Sequence, residues 1–198
     1  MNIVYVFAMH DERKYVTNNE QACVQDGNDY YLKTGIGKVN AAVMLTKFLE
    51  HHDVDAIINI GFAGSVTHHQ VMDMIVIDEA YFHDVDATLF GYPKYKVPGM
   101  PISYKSDLNL LKKMTKLDNI KVSTLYTGDQ FITQPMPFEG VVDMEGAALY
   151  QVAYLYHKPI ISIKLISDVV GQHSYQTFDL EKGSQAIAHM VLKLKEVL

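Results

Sequence analysis

Glu145 and Asp168 bracket the stretch VVDMEGAALYQVAYLYHKPIISIKLISDVVG at residues 141–171, with one helix and one strand between them. Carboxylates accept hydrogen bonds and protons, and both positions suit a ligand site. Asp168 sits just past the carboxyl end of a β-branched run, Ile160 to Ile166, which reads as an interior, parallel strand. Ligands bind at that end of open α/β sheets. Glu145 follows a short apolar segment, Val141–Val142, and reaches the same crevice if that segment runs parallel to the next strand. Three further strand ends deliver something to that side: Glu12, the Gly61–Gly64 turn, and Asp129–Phe131. An acid after a strand is more often a helix cap or a solvated loop residue. The spacing alone therefore says only that a polar crevice lies in an α/β domain.

The elements that must hold these residues follow from the apolar pattern. Residues 2–8 read as a buried first strand with Glu12 hanging from its carboxyl end, and residues 20–34 as two strands joined at Asp26-Gly27-Asn28-Asp29. The glycine turn Thr34–Lys38 opens a helix to about residue 51. Residues 54–60 form a buried strand that runs into the small-residue turn Gly61-Phe62-Ala63-Gly64-Ser65, where backbone can approach a ligand closely. A strand over 72–82 leads into a long loop, 83–103, with Phe90, Tyr92, Tyr95 and three prolines; such loops are usually functional or interfacial. A surface helix over 106–117 and a strand over 120–126 come next, and 133–140 carries no clear element. Gly146 to His157 is a helix apolar over most of its circumference, stopped before Pro159. Residues 178–198 form an amphipathic helix with Asp179 or Thr177 at its cap. Strands alternate with helices, so the class is α/β. The hairpin and the long 72–82 strand make the sheet mixed.

Composition narrows the function. The 198 residues suffice for one domain, 1–198, with a sizeable core. A net charge of −6 without a basic cluster argues against nucleic acid. The single cysteine, Cys23, forms no internal disulfide and fits a reducing compartment. Residues 3–9 are too short for a signal peptide core, and no apolar run reaches membrane-spanning length. A cytoplasmic protein is expected. Nine histidines include His51-His52 and His68-His69, but none has metal-ligand spacing, so no metal is expected. The pair His83-Asp84 is expected to shape the aromatic loop.

The motifs AMHDE (8–12), TGIGKVNAA (34–42), NIGFAG (59–64), DEAYFHDVDATLFGY (78–92), TGDQFI (127–132), VVDMEGAAL (141–149) and ISDVVG (166–171) are specific in order and spacing. Through them the chain resembles the 5′-methylthioadenosine/S-adenosylhomocysteine nucleosidases of the purine nucleoside phosphorylase-like superfamily, over nearly its whole length. The resemblance implies a three-layer α/β sandwich around a mixed central sheet, a homodimer, and hydrolysis of the N-glycosidic bond of adenine thionucleosides without a cofactor. It implies that Asp168 is the general acid that protonates the purine at N7, oriented by Ser167, and that Glu12 is the base that activates water. Glu145 would grip the ribose hydroxyls and Met144 pack on the ribose. Phe131 would stack on adenine and Ile132 read its edge through backbone. Phe62, Ala63, Gly64 and Lys164 would lie near ribose and water. Phe90, Tyr92 and Pro98 would reach across the dimer to shape the 5′-alkylthio pocket.

Three positions depart from the family pattern. Phe62 stands where the family usually has serine, Lys164 where it usually has arginine, and the segment from Ile132 to Val141 is too short for the helix usual there. Phe62 either fills the space of that helix or narrows the pocket. A phosphorylase of the same superfamily is disfavoured, because Arg13 is the only arginine and Glu12 would repel phosphate. A non-catalytic nucleoside binder is disfavoured by the presence of both Glu12 and Asp168.

Overall fold

Two ten-residue strands, β4 (Ala56–Ser65) and β9 (Ile160–Val169), run parallel at the centre of the molecule, buried along nearly their whole length. Their continuous β-branched runs need apolar cover on both faces, and they receive it. The computed structural model describes residues 1–66, 68–172 and 176–198. On one edge of β4 lies β1 (Ile3–Phe7), parallel to it, followed by β3 (Asp29–Lys33) and its hairpin partner β2 (Cys23–Asp26). On the far side of β9 comes β5 (Met74–Phe82), antiparallel to it, then β7 (Ile120–Thr127) parallel to β5, and β8 (Val141–Asp143) parallel to β7. A two-residue strand, β6 (Tyr104–Lys105), pairs with β5 beyond the reach of β9.

The end of β4 closes this series. Gly64 and Ser65 pair with Val142 and Val141, so β4, β9, β5, β7 and β8 form a closed ring from which β1, β3 and β2 extend. The 61–65 segment, expected as a turn, therefore continues β4. The ladder to β9 persists to Val169 and β8 closes the other edge, leaving its backbone no reason to turn. The condition placed on Val141–Val142 is also not met. β8 is antiparallel to β4, whereas β4 is parallel to β9, and Glu145 reaches the crevice because β8 crosses the carboxyl end of β4.

Helices cover the two faces of the sheet and divide the core in two. On one face α2 (Lys38–Leu49) and α4 (Gly146–Leu155) pack Leu45, Phe48, Leu149 and Val152 against Val4, Val6 and Ile57. On the other, α3 (Leu108–Met114) and α5 (Leu180–Val197) pack Leu110, Met114, Ile187, Met190, Val191 and Leu194 against Tyr5, Ile58, Ile60 and Ile163. The α5 positions recur at the helical period, and Asp179 caps the helix by accepting from the Lys182 amide. The one-turn helix α1 (His10–Arg13) holds Glu12, which thus sits in a helix rather than hanging directly from β1. The 83–103 loop contains one 3₁₀ turn, Thr88–Phe90, closed by a left-handed Gly91. Among the described residues no helix is long and apolar enough to cross a membrane.

Candidate active site

A cavity of about 310 Å³ opens at the carboxyl ends of β1, β4 and β9, and four carboxylates line it: Glu12, Asp143, Glu145 and Asp168. Each is at most 8% exposed. Of the residues expected at the site, Glu12, Phe62, Ala63, Gly64, Phe131, Ile132, Met144, Glu145, Ser167 and Asp168 all line this one cavity. Lys164, Phe90, Tyr92 and Pro98 do not. Lys164 is buried behind the wall, and Phe90 and Pro98 are exposed on the surface, with Tyr92 partly so.

Asp168 owes its aim to an irregularity. Ala63 pairs with Ile166 but Gly64 pairs with Asp168, so Ser167 is an extra residue bulged out of β9. Successive residues of a regular strand face opposite ways; the bulge lets Ser167 and Asp168 both line the cavity. Ser167 Oγ lies 2.7 Å from Asp168 Oδ1 and donates to it. Burial pushes the Asp168 carboxyl above the ordinary aspartate range, with the serine pulling the other way. Gly64 leaves the room, since a Cβ there would lie 3.0 Å from Asp168 Oδ2.

Glu12 is fixed by three amides. Ala8 N and Met9 N each donate to Oε2 at 2.8 Å, and Phe62 N donates to Oε1 at 2.9 Å. Burial raises its pKa, opposed by Lys164 and by these amides. Gly61 faces it, and a Cβ there would lie 2.4 Å from Oε1. Glu145 accepts from the amide of Gly37 at 2.8 Å. Burial, then the neighbouring Asp143, push it up to about 7, while Lys164 pulls it down.

Asp143, which the sequence reading passed over, organises this wall. It accepts from Gly146 N, at the start of α4, and from Thr127 Oγ1, and it sits 2.8 Å from Lys164 Nζ. It stands two residues before Glu145, the N-cap of α4, so the usual capping position does not mark it in the sequence. Burial alone would lower the Lys164 ammonium, but the surrounding carboxylates outweigh it and hold the pKa up. One lysine thus serves Asp143, Glu12 and Glu145.

The remaining wall is apolar. Phe62 meets Phe178 edge-on at 5.3 Å and 75°, and Ile36, Phe131, Phe178 and Leu180 line the cavity with it. Phe178, Leu180 and Ile36 were not anticipated; they lie on segments read only for their helices. The short segment 133–140 holds no helix, and Phe138 instead stacks on Tyr126 at 3.9 Å. His83 and Asp84 do not shape the aromatic loop alone: Asp84 binds Lys38 and the Asp129 amide. Among the described residues no group of three or more His, Cys, Asp or Glu has metal-ligand geometry.

The geometry can protonate one bound group, activate a second and hold hydroxyls between them. A model of the phosphorylase superfamily matches residues 12–197. The 5′-methylthioadenosine/S-adenosylhomocysteine nucleosidase of Bacillus subtilis (strain 168) is 37% identical over 181 residues, 82% of this chain and 78% of that protein. The corresponding nucleosidase of S. pneumoniae, solved with the transition-state inhibitor MT-ImmA, superposes with a TM-score of 0.87 at 25% identity, covering 100% of this chain and 99% of that one. An S-adenosylhomocysteine nucleosidase of Streptococcus pyogenes, solved with 5-methylthiotubericidin, gives 0.85 at 27% identity over 99% and 96% of the two chains.

Proposed function

The chain belongs to the phosphorylase superfamily, among its 5′-methylthioadenosine/S-adenosylhomocysteine nucleosidases, and from that premise we propose how its site hydrolyses these nucleosides. Asp168 protonates the purine at N7 as the C1′–N9 bond breaks, so the base leaves neutral rather than as a poor anionic leaving group. Glu12 takes a proton from the water that attacks C1′. Glu145 accepts from both hydroxyls of the ribose, and its charge favours the oxocarbenium-like transition state. A positioned acid contributes about 10²–10⁴-fold, and burial, which raises the pKa of Asp168, favours the protonated form that this role needs.

The observation that carries this reading is the sign of the cavity wall. Among the described residues that line it are four carboxylates and no lysine, arginine or histidine. A phosphorylase must hold a phosphate dianion against C1′, and this wall would repel one. Arg13, the only arginine, is buried and donates to main-chain carbonyls of Asn19, Ala22 and Tyr31. The apolar wall of Phe62, Phe178 and Leu180 suits a thioether, which gains little from polar contacts. Phe131 and Ile132 would hold the base, Met144 the ribose. Phe90, Tyr92 and Pro98 of a second copy would close the alkylthio end, in a cytoplasmic homodimer of the single domain 1–198 serving methionine salvage.

The test is chromatographic release of free base from methylthioadenosine, S-adenosylhomocysteine, adenosine and inosine, with and without phosphate. Adenine is expected from the two thionucleosides without phosphate, and Asp168→Asn should lower that release at least 10²-fold. A strict phosphate requirement would move the protein to the phosphorylases. Binding by calorimetry without release would make it a nucleoside binder.

A further inference from the structure

Lys38 breaks a local rule. It is the first residue of α2, and the positive end of a helix dipole disfavours a cation there. Residues that contradict local preference are held for another reason, and the contacts of Lys38 supply one. Its Nζ lies 2.5 Å from Asp84 Oδ2 and 3.7 Å from Asp129 Oδ2. Its backbone amide donates to Asp129 Oδ1 at 2.9 Å, and the Asp129 amide donates to Asp84 Oδ2 at 3.0 Å. Lys38, Asp84 and Asp129 therefore form a closed ring of bonds that ties the start of α2 to the ends of β5 and β7, which are themselves paired as far as Phe82 and Thr127.

Two of these segments carry parts of the site, and the third braces them. Gly37, next to Lys38, donates to Glu145. Asp129 opens the segment that sets Phe131 and Ile132 in the cavity wall, just where the chain leaves β7. Asp84 follows β5 and begins the long aromatic loop. We propose that Lys38 is a positioning residue that aligns the sugar-binding Glu145 with the base-binding 129–132 segment, through the ring it forms with Asp84 and Asp129. This rests on the nucleosidase reading for what the two walls bind. The ring itself lies at the rim, with the Lys38, Asp84 and Asp129 side chains 22%, 25% and 48% exposed. None of the three ring residues belongs to either apolar core, and the one core contact is Lys38 Nζ at 5.5 Å from the Phe82 ring centre, so the signature expected is catalytic rather than global.

Lys38→Met and Asp84→Asn test it, with hydrogen exchange, steady-state kinetics and binding of free adenine read on each. Lys38→Met should speed exchange at the Asp129 and Lys38 amides. Its kcat should fall about 10–10²-fold, as expected when two well-bound halves of a substrate are misaligned by a fraction of an ångström to one ångström. Affinity for free adenine, which spans only one wall, should stay within about threefold of wild type. Combining the two substitutions should cost no more than the worse one, since both open the same ring, and Lys38→Arg should recover part of kcat. Unchanged exchange at Asp129, a kcat within twofold of wild type, or equal losses in adenine binding and kcat would each overturn the proposal. If the wild-type protein releases no base at all, the nucleosidase reading fails on its own, and exchange at Asp129 still decides whether Lys38 orders the segment.

Discussion

Glu145 lives with more negative charge than its one cation can balance. Lys164 sits on Asp143 and is shared with Glu12, and Glu145 is buried beside them and raised from 4.5 to about 7. The folded state thus holds this proton more tightly than the unfolded chain does. Its contribution to stability is complete below pH 4.5 and is lost as pH rises through about 7. The shift corresponds to at most about 3 kcal/mol. Glu145→Gln keeps an acceptor for the Gly37 amide and removes the charge. The variant should melt about 2–8 °C higher than wild type at pH 8 and alike at pH 4, while kcat/KM falls by about 10² or more. Scanning calorimetry at the two pH values checks the first part, and equal shifts at both would show that the charge is not the cause. The acid and base give a second pH signature. Glu12 must be ionised and Asp168 protonated, and burial raises both. The kcat/KM profile should be bell-shaped, with its acid limb above the ordinary glutamate range, and Asp168→Asn should abolish the profile with the activity. Glu12, Glu145 and Asp168 could be placed in one cavity because each is an acid near the carboxyl end of an apolar run, although Glu12 lies in α1 and Asp168 within β9, which runs on to Val169. Asp143 was missed, because Met144 and Glu145 beside it drew the functional reading, and Lys164 was placed at the ribose when its nearest partner is Asp143.

Small residues in β4 make room for acids as well as bordering the cavity. Gly61 sits against Glu12 and Gly64 against Asp168. A methyl at 61 would come within 2.4 Å of a Glu12 oxygen already bound by the Phe62 amide. Gly61→Ala should therefore lower kcat at least 10²-fold while adenine affinity changes little, since the base-binding wall lies elsewhere; parallel loss of both would instead indicate a collapsed cavity. The sequence read 61–65 as a turn because glycine and alanine interrupt the β-branched run. What it could not register was a strand that stays straight because two neighbours pair it to the end. Helix α1 presents the converse case. It ends after four residues, and fully buried Arg13 takes over, donating to the carbonyls of Asn19, Gln21, Ala22 and Tyr31. Arg13→Met would leave these carbonyls without their donor, each at a cost of about 1–3 kcal/mol where water cannot replace it. A loss of about 3 kcal/mol or more is expected from urea unfolding at unchanged m-value, and a loss under about 1 kcal/mol would mean that water substitutes for the guanidinium.

At the scale of the whole molecule, the layers were legible and the ring was not. The alternation of buried strands and helices is a property of each segment, but closure depends on β8, three residues long, bridging β7 and β4. No periodicity announces so short a strand. Surface chemistry extends the same lesson beyond one chain. Ile36 and Phe131 line the cavity yet stand 49% and 55% exposed, and Val39 and Val43 continue the apolar stripe along α2 at helical spacing, 72% and 44% exposed. Leu89 and Phe90, at the tip of the aromatic loop, are 91% and 78% exposed. Apolar surface running from a cavity mouth across a helix is what an interface leaves bare when one copy is considered alone. If a second copy covers it, sedimentation should give a dimer of about twice 22.4 kDa. Val39→Asp should then yield monomers, because a carboxylate in a dry interface has no cation to meet it. The kinetic consequence separates this interface from a passive one. Monomers should bind free adenine as the dimer does, since Phe131 and Ile132 belong to the same chain, but KM for methylthioadenosine should rise about tenfold or more as the alkylthio end opens to water. A monomeric variant with unchanged KM would mean that Phe90, Tyr92 and Pro98 of a neighbour contribute nothing to the pocket, and that each chain closes its own site.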